Sequence, residues 1–104
     1  MVYIILKSFY PFQKADEVKE IYMEVMKRYP PDKSIAEPIV PIAGRATEKG
    51  LEGMTVWKLK EGKFDEFVKR LMASMAKFYK VEGFGYRVEV WSTLEESLSK
   101  KWNY

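Results

Sequence analysis

The chain predicts an α+β fold: a four-stranded antiparallel sheet with two helices on one of its faces. Three observations carry this. Apolar residues recur with period two in four short stretches and at three- and four-residue spacing in two long ones. The stretches follow one another as strand, helix, strand, strand, helix, strand. Two prolines mark one strand as an edge. At 104 residues the chain makes one domain, residues 1–104, that buries roughly 65% of the surface its unfolded form exposes.

Residues 2–9 alternate Val2, Ile4 and Leu6 against Tyr3, Ile5 and Lys7, and Pro11 blocks further ladder pairing, so the first strand lies there. The first helix covers residues 14–29, where Val18, Ile21, Tyr22, Val25, Met26 and Tyr29 form one stripe. Asp16 and Glu17 in its first turn and Lys27 and Arg28 in its last suit the helix dipole. Pro30 and Pro31 end it. Residues 35–46 are extended, but Pro38 and Pro41 cannot donate to a ladder, which places this second strand at a sheet edge. Residues 47–53 then turn through Gly50 and Gly53. The third strand, residues 54–60, sets Met54, Val56 and Lys58 against Thr55, Trp57 and Leu59.

Residues 64–79 are the clearest helix, with Phe64, Phe67, Val68, Leu71, Met72, Met75 and Tyr79 on one stripe and charges opposite. The stretch 83–91, GFGYRVEVW, is a turn followed by the fourth strand, with Tyr86, Val88 and Val90 on one side and Arg87, Glu89 and Trp91 on the other. Residues 93–101 read as a short last helix capped by Ser92 or Thr93, and Trp102 and Tyr104 follow it. Right-handed crossovers order the strands four, one, three, two, which again puts the second strand at an edge. This is the split βαβ, or ferredoxin-like, arrangement.

Composition restricts the chemistry. With neither cysteine nor histidine, the chain has no disulfide, no thiolate nucleophile, no Ser-His-Asp or Cys-His unit and no proximal haem histidine. No clustered acidic loop suits a hard cation, so no metal and no cofactor are expected. The net charge of +3 is dispersed, which argues against a nucleic-acid or membrane footprint. No apolar run approaches the roughly 18 to 20 residues of a membrane span, and no cleavable signal pattern opens the chain, so a cytoplasmic protein is expected. Abundant Lys and Glu beside a single Asn and a single Gln resemble thermophile composition.

The glycine stretches carry no recognised chemistry. GFGY at residues 83–86 fails as an RNA-recognition signature: Glu82 stands where a basic residue is needed and Arg87 where an aliphatic one is needed. No glycine loop has phosphate-cradle spacing. The methionines lie mostly on helix stripes as core filler.

As a whole chain, with a last strand EVW leading into TLEESL, the sequence resembles a small member of the dimeric α/β-barrel superfamily. Through residues 55–98 it is similar to small uncharacterised archaeal-type proteins. The resemblance implies two sheets joined face to face in a homodimer. It also implies a choice among small-molecule regulatory modules, cofactor-free monooxygenases and haem-handling proteins, the last of which need a histidine that this chain lacks.

The functional expectation concerns the sheet face away from the helices. Aligning the alternations gathers Tyr3, Ile5, Lys7, Thr55, Trp57, Leu59, Arg87, Glu89 and Trp91 there, too apolar a set for a solvated face. Two readings stay open: a plain homodimer interface, or an interface holding a ligand pocket where Tyr3, Lys7, Arg87 and Glu89 meet Trp57 and Trp91. The functions that follow are a small-molecule binding or regulatory module, a cofactor-independent monooxygenase- or isomerase-like enzyme, or a self-association module. An enzyme would draw its general base from Glu89, desolvated between Trp57 and Trp91 and raised in pKa.

Overall fold

A computed structural model describes residues 2–98. The elements follow as β1 (Val2–Tyr10), α1 (Ala15–Arg28), β2 (Ala36–Thr47), β3 (Gly50–Leu59), α2 (Phe64–Met75), β4 (Gly85–Ser92) and α3 (Leu94–Leu98), with 3-10 turns at Phe12–Lys14 and Ala76–Phe78. The strands form one antiparallel sheet in the order β2-β3-β1-β4, the expected order read from the other side. The architecture is compatible with a ferredoxin-like fold. The end of the expected last helix, with Trp102 and Tyr104, lies outside the described residues.

The turn expected at residues 47–53 is confined to Glu48 and Lys49. Thr47 already pairs with Gly50, its hydroxyl donating to the Gly50 carbonyl at 3.0 Å and accepting from the Lys49 amide at 3.2 Å. Both glycines are strand residues here. Gly50, at φ 146°, runs so close to β1 that a Cβ would strike the Tyr10 carbonyl, while Gly53 lies beside Ser8. Along β2 the pairing with β3 slips between Pro38 and Val40 and again between Val40 and Ala43. Pro38 and Pro41, which have no N–H to donate, flank these irregularities at the sheet edge.

The register corrects one expectation. β1 pairs Val2 with Leu59, Ile4 with Trp57 and Leu6 with Thr55 on one side, and Ile4 with Val90 and Leu6 with Val88 on the other. Thr55, Trp57 and Leu59 therefore share the helix-covered face with Ile4, and Met54, Val56 and Lys58 take the open face beside Lys7, Ile5 and Tyr3. This inverts the phase expected for the third strand. Both of its phases carry large apolar side chains, so alternation alone leaves the phase undetermined. Packing decides it: Trp57 meets Phe67 of α2 edge to face at 5.0 Å, and Leu59 is 5% exposed.

The core lies between this face and the helices. Ile4, the most buried large side chain, is joined by Val18 and Ile21 from α1 and by Phe67, Leu71 and Met75 from α2. Arg70 of α2 donates to the Pro30 carbonyl at 2.8 Å and lies 6.0 Å from the Tyr29 ring, which ties α2 to the end of α1. At the other end Phe78 stacks on Phe84 at 4.8 Å, and Tyr10 stacks on Phe84 at 6.1 Å. The rest of the α1 stripe is less covered: Met26 is 36% exposed, and Tyr22 and Val25 are only partly buried.

Candidate functional site: a cavity between helices and sheet

The stripe of α1 is left open because the sheet beneath it is short of side chains. Gly44 pairs with Gly53, and Gly53 with Ser8, so three neighbouring floor positions carry nothing larger than a hydroxymethyl group. Gly44, Gly53 and Ser8 all line the hollow above them. The two slips of β2 offset its residues against β3 in the same region. The result is a cavity of about 580 Å³, within the range of small-molecule sites.

Its wall is built from three layers. α1 supplies Val18, Tyr22 and Val25, α2 supplies Leu71, Ser74 and Met75, and the sheet supplies Leu6, Thr55 and Trp57. Tyr10, Phe78 and Phe84 close one end, and the exposed Pro41, Ile42 and Lys19 stand at the rim. Among the described residues, Lys19 is the one charged residue in the wall. Trp57 also borders a smaller hollow of about 90 Å³ toward Pro30 and Arg70.

The wall carries the part-buried hydroxyls of Ser8, Tyr10, Tyr22 and Tyr29 beside those of Ser74 and Thr55. The Ser74 hydroxyl donates to the Leu71 carbonyl at 2.8 Å. Thr55 is 7% exposed, the one buried polar residue among those described, and its hydroxyl has no hydrogen-bond partner among them. A buried hydroxyl without a partner is uncommon, because desolvation is then uncompensated. No motif in the sequence marks this site. The one available signal was Gly53, since a glycine inside a strand marks a close approach or a gap.

The open face holds most of the residues first singled out. Tyr3, Lys7, Arg87, Glu89 and Trp91 lie together there, but Trp57 does not join them. Glu89 is the hub: the Trp91 indole donates to its Oε1 at 3.0 Å, Arg87 Nε lies 3.0 Å from Oε2 and Lys7 Nζ 4.0 Å from it. Arg87 also sits 6.0 Å from the Phe9 ring. The Trp91 hydrogen bond, reinforced by the Lys7 and Arg87 cations, holds the Glu89 carboxyl below its usual range. This corrects the expected raised pKa. With Trp57 on the other face, desolvation is outweighed by one indole donor and two cations.

Among the described residues, no group of three or more His, Cys, Asp or Glu is placed to hold a metal ion, and no helix is long and apolar enough to cross a membrane. Fold and site together define the class: a small α+β domain, compatible with a ferredoxin-like fold, with an apolar cavity between its helices and its sheet. No protein-family model and no curated protein matches the chain.

Proposed function

We propose that the protein is a small-molecule binding module whose ligand occupies the cavity between α1, α2 and the sheet, and that two copies pair through their open sheet faces as a dimeric α/β barrel. The cavity carries the reading. A wall of aromatic and aliphatic side chains facing about 580 Å³ of space is favourable to any apolar molecule that displaces the water within. An enzyme with Glu89 as general base is disfavoured, since a lowered pKa makes this carboxylate a weaker base.

Titration of the labelled protein with naphthalene tests the cavity. Amide and methyl resonances of Val18, Tyr22, Thr55 and Met75 should move together and saturate. Shifts absent from these residues, or confined to the open face, would overturn the assignment. The pairing rests on the open face itself, where Tyr3, Ile5, Phe9, Met54, Val56 and Trp91 gather on one side of the sheet. Light scattering at micromolar concentration should return twice the chain mass, and a monodisperse monomer would reject the pairing.

A further inference from the structure

The cavity lining carries one buried polar side chain without a partner among the described residues; the hydroxyls of Ser8, Tyr10, Tyr22 and Tyr29 also line it, but on residues that are only partly buried. Ser74 is already committed to the Leu71 carbonyl, whereas the Thr55 hydroxyl is enclosed at 7% exposure without a partner among the described residues. Thr55 stands opposite Leu6 in the sheet, two residues along β3 from Gly53, on the face that floors the cavity. A valine has nearly the same shape and would bury there without desolvating a hydroxyl, so folding alone gives no reason for oxygen at this position. The surroundings restrict what could use it. Aromatic rings from Tyr10, Tyr22, Trp57, Phe78 and Phe84 supply flat walls. Among the described residues no carboxylate lines the cavity and its one cation, Lys19, is exposed at the rim, so a charge carried to the floor would be buried without a counter-ion from them.

Resting on the cavity reading above, we infer that the ligand is a flat, uncharged aromatic molecule carrying one hydrogen-bonding oxygen, as in a phenol, and that the Thr55 hydroxyl holds that oxygen. The hydroxyl both donates and accepts, so it suits a phenol or a ring carbonyl. Hydrophobic contact with the walls supplies affinity, and Thr55 supplies the preference for an oxygenated ring over the bare hydrocarbon.

Naphthol and naphthalene, which differ by a single hydroxyl, serve as probes on the intact chain by calorimetric titration. The unmodified protein should bind naphthol roughly five- to tenfold more tightly than naphthalene, the discrimination of one net hydrogen bond. In Thr55→Val that ratio should fall to one or below through weaker naphthol binding, and the melting temperature of the unliganded protein should not be lowered. Thr55→Ser keeps the hydroxyl and should keep the preference, which separates a hydrogen bond from a packing effect. Equal binding of both probes to the unmodified protein overturns the role of Thr55 while leaving the cavity reading in place. A preference that survives in Thr55→Val overturns it as well. Failure of both probes to bind the unmodified protein overturns the cavity reading itself.

Discussion

Trp57→Ala tests the register of β3 most directly. If Trp57 stood on the open face, its loss would leave the folding of one chain almost untouched. On the helix-covered face it takes with it an edge-to-face contact with Phe67 at 5.0 Å and part of the wall between two hollows. Removing a buried tryptophan costs about 3 to 5 kcal/mol. Trp57 is only half-buried and borders open space, so the lower bound of about 3 kcal/mol applies. For a chain of this length, each kcal/mol lowers the melting temperature by roughly 4 to 5 °C, which predicts a loss of about 12 to 15 °C. Circular dichroism melts and urea titrations at one fixed concentration measure it without reliance on tryptophan emission. The neighbouring Lys58→Ala is the control: on the open face, opposite Tyr3, it should change stability by no more than about 0.5 kcal/mol. A Trp57→Ala cost below about 1 kcal/mol, or a Lys58→Ala cost equal to it, would refute the pairing of Ile4 with Trp57.

Val56→Lys places a charge in the middle of the open face, opposite Ile5, and should convert the proposed dimer to a folded monomer by light scattering; an unchanged mass would rule this face out as the contact. Gly50→Ala forces a side chain into a left-handed conformation and against the Tyr10 carbonyl, and should cost at least about 2 kcal/mol in urea unfolding. An effect under 0.5 kcal/mol would show that the close approach of β3 to β1 is wrong. Glu89 titrates below its ordinary value of 4.5 in the folded chain, so the folded state favours the ionised form. Its contribution to stability is therefore complete above the unfolded value and is lost as pH falls through the folded one. Glu89→Gln should flatten the fall in urea midpoint between about pH 5 and pH 3, and an unaltered slope there would remove Glu89 from the acid response.

Much of the architecture is legible in the residues. The stripes of α1 and α2, the prolines of β2 and the alternation in β1 and β4 each admit one reading, and right-handed crossovers then leave one strand order. The phase of β3 is not legible in the same way. Met54 and Val56 compete with Trp57 and Leu59 for the core, and the choice depends on a hairpin register that involves Thr47 and Gly50 across a two-residue turn. Gly50 and Gly53 invite a turn assignment because glycine serves both turns and close backbone approach, and only the position of β1 distinguishes the two. The cavity is harder still. It arises from what Gly44, Gly53 and Ser8 lack, and space shows no periodicity. Tyr3, Lys7, Arg87, Glu89 and Trp91 were found together because they alternate on two paired strands. Thr55 is assigned to the open face by the same inverted phase, and a threonine in a strand is ordinary until its hydroxyl proves to have no partner among the described residues.

The interrupted pairing of β2 has a bearing on how such a sheet behaves at high concentration. A regular outer strand presents a row of unused amides and carbonyls on which another chain can be laid, and repetition of that step yields a fibre. Pro38 and Pro41 have no amide to donate, and the two slips around Val40 break the regular spacing of the strand. At the opposite border, β4 carries the charged Arg87 and Glu89, side chains of the kind that discourage pairing at a sheet edge. With both borders unsuited to extension, growth of the sheet strand upon strand is suppressed.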